Sequence, residues 1–235
     1  MNTGSAQSAL NMPYLGQHIL RSALPSEDWG ELLEHGRTLY FHKGDVIFSR
    51  GMQADNIYLI VSGRVEISLV LADGQKAILN EMGPDEIFGE ISVLDRAPRS
   101  ADALAASDDV KLIAIGRKQV YELIDNSSQV VFSLISELCK RVRNASEMFE
   151  VKSEKSAQVR LARSLLRLAA KWGTAERDQT VVRGFSQSEL AGLAGLAREN
   201  VNRVLKQFED EGLLRRDGEA LILSDVDALA NMAQI

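Results

Sequence analysis

One short segment of the chain, residues 88–101, combines residue types that together can bind a phosphorylated sugar. Gly89 lets the backbone approach a ligand closely, because it has no Cβ. Arg99 and Ser100 follow with a guanidinium and a hydroxyl, both good hydrogen-bond donors to phosphate oxygens. Glu90 would repel a phosphate, but its carboxylate can accept a hydrogen bond from a ribose hydroxyl. The segment therefore predicts a site for an anion attached to a sugar.

Residues 90–94 are expected to form one short helical turn that begins just after Gly89. Backbone amides at the start of a helix have no intrahelical partner, so they can donate to an anion. The alternative is a surface loop that contains a buried pair of Arg and Glu. The candidate ligand-binding residues in this segment are Gly89, Glu90, Ile91, Ser92, Arg99 and Ser100.

Short strands are the elements that must position this segment. Between Leu39 and Ile115, runs rich in apolar and β-branched residues alternate with Gly- and Asp-containing turns, such as Ser62-Gly63 and Asp73-Gly74. Many short strands at this spacing predict an antiparallel barrel or jelly roll.

A long helix is predicted after the strands, within residues 118–171. Apolar residues recur there at alternating steps of three and four, which is the seam of a coiled coil. Because the helix is long and has polar flanks, the seam favours a parallel dimer helix over a core helix. The seam residues are Val131, Leu134, Leu138, Val142, Ala145 and Phe149.

The C-terminal part of the chain contains two short helices joined by a tight turn. Residues 186–189 have the sequence of a capping box, which opens a helix. A second helix is predicted from about residue 198 to residue 210. Ala191, Gly195 and Val201 have the spacing of a helix-turn-helix, in which Ala permits close approach, Gly turns and Val packs back. A helical hairpin without function is the alternative.

Polar residues gather near the start of this second helix and in a hairpin that follows it. Arg can donate to guanine O6 and N7, and Glu can accept from cytosine N4, although a solvated charged face is the alternative. Residues 213–223 are predicted to form two strands around Asp217-Gly218, a wing whose arginines would reach phosphate. The candidate DNA-binding residues are Arg198, Glu199, Asn202, Arg203, Ser186, Ser188, Arg215 and Arg216.

Residues 88–101 match, in type and order, the phosphate-binding cassette of cyclic-nucleotide-binding domains. Over nearly its whole length the chain resembles the bacterial cAMP receptor protein (catabolite activator) family of transcription regulators. Arg198, Glu199 and Arg203 match the recognition helix of that family, whose half-sites resemble TGTGA. The resemblance implies an α+β fold with an N-terminal antiparallel β jelly roll that binds a cyclic nucleotide, a long dimerisation helix and a C-terminal winged helix-turn-helix. The corresponding domains are residues 1–117, 118–152 and 153–235.

The resemblance also places the long helix over the nucleotide, with Asn144, Ala145 and Ser146 against the base. Members that respond to cAMP have Thr-Ser where this chain has Ala145 and Ser146, so one polar contact to the base is lost. Both cAMP and cGMP are therefore candidate ligands. Ala197 stands where the family usually has a Ser cap, and Asn202 stands where the cAMP receptor protein has Gly. Asn202 could add a contact to a base or a phosphate.

Composition limits the class of protein. The chain has 235 residues, of which 45% are hydrophobic and 26% charged, as in ordinary soluble globular proteins. No apolar run is long enough to span a bilayer and the start lacks a secretory layout, which predicts a cytoplasmic protein without a membrane partner. The net charge is −6, but residues 152–235 carry 13 Lys and Arg against 12 Asp and Glu. That balance permits DNA contact by the second half without requiring it.

Several other functions are excluded or weakened by the residues present. The single cysteine, Cys139, cannot supply the four-cysteine sensor of the fumarate–nitrate branch. A haem sensor would need a ligand set, and isolated histidines such as His18, His35 and His42 are more typical of structural or solvated positions. No nucleophile with a base and no metal-binding cluster is apparent, so an enzyme such as a phosphodiesterase is rejected. A pure interaction module would lack the helix-turn-helix and wing.

The leading hypothesis is a homodimeric, cyclic-nucleotide-responsive regulator that binds a TGTGA-like palindrome. The alternative is a DNA-binding regulator of the same fold that senses a non-nucleotide ligand or is constitutively active. The partners implied by the resemblance are double-stranded DNA, a cyclic nucleotide, a second copy of the chain and RNA polymerase. The nucleotide would be an allosteric ligand, cAMP or cGMP, and no other cofactor is expected.

Overall fold

The computed structural model describes residues 36–176 and 179–233. They form two compact units, one containing residues 36–74 and 78–145 and the other residues 75–77 and those from 146 onward. Short apolar clusters between Leu15 and Leu33 predict one or two short helices, but these residues lie outside the described part of the chain, as do His18 and His35. The predicted domain limits at residues 117 and 152 stay predictions.

Eight strands make up most of the first unit, and they form two four-stranded sheets with the orders β1-β8-β3-β6 and β2-β7-β4-β5. The pairings β1–β8, β3–β8, β3–β6, β2–β7 and β4–β7 are antiparallel. The strands are β1 (Arg37–Phe41), β2 (Val46–Phe48), β3 (Asn56–Ser62), β4 (Val65–Val70), β5 (Lys76–Met82), β6 (Ile87–Phe88), β7 (Asp102–Ala105) and β8 (Val110–Gly116).

Alternation along β3 shows that its sheet is covered on both faces. Tyr58 and Ile60 belong to a buried cluster that draws residues from both sheets. Ile57 and Leu59 belong to a second cluster, which draws its other members from one sheet and from the helices that cover it. Successive side chains of a strand point to opposite faces, so β3 joins a core between the sheets to a core beneath the helices.

Three helices accompany the strands: α1 (Glu90–Asp95), α2 (Arg117–Asn126) and α3 (Ser128–Ser153). The first half of α3 packs on the β domain through Val130 and Leu134, which lie in the same buried cluster as Ile57. This differs from the predicted seam, in which Leu134 faced a second helix. Since Leu134 is buried within its own chain, it cannot also be part of an exposed seam.

A different row of α3 is exposed in its place, spaced by alternating steps of three and four residues. Its four large apolar side chains are 50–73% exposed. Cys139, in the same row, is also exposed. The exposed row coincides with the predicted seam at Val142 and Phe149, and at its other four positions it is shifted by one residue. The row consists of Phe132, Ile135, Cys139, Val142, Ser146 and Phe149.

The second unit contains the remaining helices and one small sheet with the order β11-β12-β10-β9. The long helix α4 packs against the three helices that follow it. Buried apolar side chains such as Leu165 of α4 and Phe208 of α6 form its interior. The elements are α4 (Ala157–Trp172), β9 (Thr174–Glu176), β10 (Gln179–Val182), α5 (Gln187–Ala194), α6 (Arg198–Asp210), β11 (Leu214–Asp217), β12 (Ala220–Leu223) and α7 (Val226–Ala233).

The architecture confirms the predicted α+β class, with antiparallel sheets, a long helix and a C-terminal helix-turn-helix followed by a two-stranded wing. One element that the sequence does not indicate is β9. The structure pairs Thr174–Glu176 with β10 as a short antiparallel ladder. Too few apolar residues lie in this stretch to mark it as a strand in the sequence.

Candidate functional site

A cavity of about 320 Å³ opens in the β domain at the predicted anion-binding segment. All six candidates from residues 88–101 line it, namely Gly89, Glu90, Ile91, Ser92, Arg99 and Ser100. The other lining residues are Phe48, Ile67, Phe88, Ala101 and Arg141.

Gly89 is required by the close approach of its backbone to Arg99. Its φ is +80°, and a Cβ at this position would lie 2.5 Å from Nη1 of Arg99. The left-handed conformation and the lack of space both favour glycine. Helix α1 begins at the next residue, so the turn that brings Glu90 to the cavity depends on this glycine.

Arg99 is held firmly in the wall of the cavity. Its Nη1 donates to the Gly89 carbonyl at 2.8 Å and its Nη2 donates to the Asn56 carbonyl at 2.7 Å. The guanidinium carbon lies 4.1 Å from the centre of the Phe48 ring, which is a cation–π contact. Burial lowers the pKa of Arg99, but an arginine has so high an ordinary pKa that the side chain stays charged. The cavity therefore contains a fixed positive charge.

Glu90 is the buried carboxylate of the cavity, with 2% of its side chain exposed. Its Oε1 lies 2.8 Å from Nε of Arg141, a residue of α3. Burial raises the pKa of Glu90, and the nearby charge of Arg141 opposes that rise. The carboxylate therefore occupies a site in which its charged form is disfavoured on balance, although a cation stands beside it.

Arg141 was not among the residues selected from the sequence. Its Nη2 donates to the Ile87 carbonyl at 2.7 Å and also lies 3.6 Å from Oε1 of Glu137, one turn earlier on α3. The sequence pattern shows only that Arg141 is on the polar side of a long helix. It does not show that the polar side at this point faces the cavity.

The three residues predicted to face a base, Asn144, Ala145 and Ser146, are not among the residues that line the cavity. Asn144 is half-buried, whereas Ala145 and Ser146 are exposed. Ser146 lies in the exposed row of α3 described above. Contact of these residues with a ligand stays a prediction.

The helix-turn-helix of the second unit begins with the predicted capping box. The Ser186 hydroxyl accepts from the Glu189 amide at 3.2 Å, and the Glu189 carboxylate accepts from the Ser186 amide at 2.7 Å. Ser186 thus has a structural role at the start of α5, and Ser188 is exposed in the first turn. Gly195 ends the helix with a φ of +60°.

The predicted DNA-reading side chains lie on one side of α6. Arg198, Glu199 and Arg203 are exposed and Asn202 is half-buried. Val201 of the same helix is fully buried. As predicted from the sequence, Ala197 leaves the start of α6 without a side-chain cap.

The wing is connected to α6 by one of its two predicted arginines. The Arg216 guanidinium forms an ion pair with the Glu209 carboxylate of α6, and the Arg216 amide donates to the same carboxylate at 3.1 Å. This hydrogen-bonded arginine lowers the pKa of Glu209. Arg215 is exposed. The structure thus gives Arg216 a contact within the domain that the sequence did not reveal.

None of the helices in the described part of the chain is long and apolar enough to cross a membrane. The same residues contain no cluster of three or more His, Cys, Asp or Glu side chains able to hold a metal ion.

Each of the two sites lies in a segment of the chain that matches a known domain family. Residues 38–127 match the family described as cyclic nucleotide-binding domain, and residues 159–232 match the Crp-like helix-turn-helix domain. The first match contains the six candidates from residues 88–101, and the second contains all eight candidate DNA-binding residues.

Whole-chain relatives are similarly consistent. The CRP-like cAMP-activated global transcriptional regulator of Mycobacterium tuberculosis is 31% identical over 83% of this chain and 87% of its own. The cyclic AMP receptor protein of Thermus thermophilus is 34% identical over 85% of this chain and 89% of its own. Among solved structures, a CRP/FNR family transcriptional regulator of Thermus thermophilus has a TM-score of 0.71 at 25% identity, covering 85% of this chain and 99% of that one.

Replacement of Glu90 by Gln should raise the thermal unfolding midpoint at neutral pH. A carboxyl whose folded-state pKa is raised binds its proton more tightly in the folded protein, so ionising it above its unfolded pKa opposes folding. The advantage of Glu90→Gln should therefore be largest at neutral pH and shrink as the pH falls through the Glu90 pKa. Thermal melts of both proteins between acidic and neutral pH measure this. A variant that is less stable at neutral pH and equal to wild type in acid would show that Arg141 outweighs burial.

Proposed function

Because the chain belongs to the CRP/FNR family of DNA-binding transcription regulators, which are not enzymes, we propose that it is a homodimer whose binding to a TGTGA-like palindrome is controlled by a cyclic nucleotide. The single observation that carries the nucleotide part is the cavity that contains both Arg99 and Glu90. The opposite charges of Arg99 and Glu90 suit two different groups of one ligand.

Each charge has a distinct ligand group to recognise. The Arg99 guanidinium offers donors for phosphate oxygens, and Ser100 adds a hydroxyl at the same wall. The Glu90 carboxylate is an acceptor that suits a ribose hydroxyl and repels a second anion. A simple anion would use Arg99 and gain nothing from Glu90. A phosphorylated ribose uses both, and the two relatives above are named for cAMP.

Arg141 supports control through α3. The cation that accompanies Glu90 belongs to this helix, so a ligand that changes the environment of Glu90 also changes the contact between α3 and the cavity. The exposed row of α3 that includes Phe132 and Phe149 is suited to a parallel coiled coil with a second copy. For the nucleotide to act as a switch, it must bind the two states of the dimer with different affinity.

DNA recognition is assigned to α6. Arg198, Glu199 and Arg203 are exposed near its start, where a recognition helix contacts base edges. Two such helices in a symmetric dimer would occupy half-sites about one DNA turn apart. Regulation of transcription implies RNA polymerase as a further partner and the cytoplasm as the location.

Replacement of Arg99 by Leu should abolish nucleotide binding, since it removes the cation that the Gly89 and Asn56 carbonyls hold in the cavity wall. Calorimetric titration with cAMP and with cGMP measures this, and we expect a loss of roughly a hundredfold or more in affinity, as for loss of a charge-assisted contact with phosphate. Arg96→Leu is the matched control, because Arg96 is exposed in the same segment and does not line the cavity. Equal affinities of wild type and Arg99→Leu would contradict the assignment.

Replacement of Glu199 by Ala should relax base preference at one position of each half-site, by about 1–3 kcal/mol in discrimination. Arg215→Ala is the comparison, because an exposed wing arginine that contacts phosphate should weaken binding to all sequences alike. Affinities for a set of duplexes with single base changes distinguish the two. A uniform loss with Glu199→Ala would show that Glu199 does not read a base.

Cys139 provides a test of the dimer, because it lies in the middle of the exposed row of α3. In a parallel dimer in register, the two copies of Cys139 would face each other across the seam. Mild oxidation with copper phenanthroline should therefore produce a covalent dimer on a non-reducing gel, and Cys139→Ser should not. Sedimentation should show that Cys139→Ser is still dimeric. If the wild type sediments as a dimer but does not cross-link, its interface lies elsewhere. If the wild type sediments as a monomer, the proposal of a homodimer is wrong.

A further inference from the structure

The turn between α5 and α6 is held by a side chain from outside the helix-turn-helix. Arg160, in the first turns of α4, donates from Nε to the Ala194 carbonyl at 2.9 Å, and its Nη2 donates to the Gly195 carbonyl. Both acceptors are at the end of α5, where helix carbonyls lack intrahelical partners and the helix dipole is negative. A guanidinium is therefore well matched to this end of the helix.

Gly195 leaves the space that this contact needs. A Cβ at Gly195 would lie 2.6 Å from Nη2 of Arg160 and 3.2 Å from Cγ of Lys152. Lys152 is in the last turn of α3, and its aliphatic stem lies near the same point of the turn. Arg160 and Lys152 thus both pack against the turn that sets the direction in which α6 leaves α5.

We propose that Arg160 is a positioning residue for DNA recognition, which fixes the angle between α5 and α6 by binding the turn carbonyls, with the stem of Lys152 as its packing partner. The proposal goes beyond the function proposed above and does not depend on a nucleotide. It requires only that the helix-turn-helix binds DNA. Hydrogen bonds to base edges form only when the side chains are placed to within a small fraction of a hydrogen-bond length. A small rotation of α6 should therefore reduce specific binding more than non-specific binding.

The roles of the two cations differ. Burial lowers the pKa of both, and the charge of Arg160 lowers the pKa of Lys152 further. The charged form of Lys152 is therefore disfavoured by its surroundings. We assign the contribution of Lys152 to the turn to packing of its aliphatic stem. Arg160 makes two hydrogen bonds to carbonyls in a planar arrangement, which a lysine cannot reproduce.

The same helix provides a matched control. Arg163, one turn further along α4, donates from Nε to the Ala233 carbonyl of α7 at 2.9 Å. It is a similar half-buried arginine that binds a carbonyl at the end of another helix. Its contact does not involve the turn between α5 and α6, so Arg163→Gln removes an equivalent bond without affecting that turn.

The experiment uses the full chain and two fluorescent duplexes of equal length. One carries a site that the wild-type chain has selected from a random-sequence pool, and the other carries the same bases scrambled. Fluorescence anisotropy gives both affinities over a range of salt concentrations, and thermal melts give the stability of each variant. The pool makes the test independent of the TGTGA assignment.

We expect Arg160→Gln to reduce affinity for the selected duplex by roughly tenfold, equivalent to about 1.4 kcal/mol, and to leave affinity for the scrambled duplex unchanged. Arg160→Lys should give an intermediate loss, and Arg163→Gln should change specific affinity by less than about twofold. Gly195→Ala should act like Arg160→Gln, and the double variant should be no worse than either, since both break one contact. Lys152→Met keeps the stem and should bind like wild type, whereas Lys152→Ala should bind more weakly.

Two results would overturn the proposal. Equal specific affinities of Arg160→Gln and Arg163→Gln would show that the turn does not depend on Arg160. A parallel loss for both duplexes, with the slope of log affinity against log salt reduced by about one unit, would show that Arg160 contacts phosphate instead. If Arg160→Gln fails to fold, Arg160→Lys and Gly195→Ala take its place. Each is then compared with Arg163→Gln and between the two duplexes in the same way.

Discussion

The burial of opposite charges in the cavity of the β domain is the constraint on which the proposed ligand site depends. Glu90 has almost no exposed surface, and Arg141 from α3 stands 2.8 Å away. A buried ion pair seldom stabilises a fold more than apolar residues of similar size would. Since burial still raises the pKa of Glu90, the pair is better explained by recognition than by stability. Arg99 is held a short distance away, in the same cavity wall.

The long helix α3 has two different sides as a consequence. Its first half buries Leu134 on the β domain and brings Arg141 to Glu90. Another side remains exposed and apolar, and Val142 is next to Arg141 in sequence. The side chains that face the cavity and those that suit a second copy are therefore adjacent on one rigid element. A ligand that moves α3 against the cavity would alter the seam, which is a physical basis for the proposed control of DNA binding.

Local patterns made much of this predictable. The order of Gly89, Glu90, Arg99 and Ser100 indicated the cavity, and the capping box with Gly195 indicated the helix-turn-helix, because both motifs depend on neighbours in sequence. The contacts of Arg141 and Arg160 were not predictable, since each joins residues more than thirty positions apart. The seam of α3 was only partly predicted for the same reason. An apolar stripe on a helix does not reveal which of two neighbouring rows is already buried against the chain's own sheet.

Control of DNA binding by a cyclic nucleotide can be measured by a mobility shift of a TGTGA-palindrome duplex with the purified chain, alone and with saturating cAMP or cGMP. We expect one of these nucleotides to raise the affinity for the palindrome and to leave the affinity for a scrambled duplex unchanged. Equal binding to the palindrome with and without either nucleotide would contradict this control. In that case the chain would still be a DNA-binding regulator, with another ligand or none.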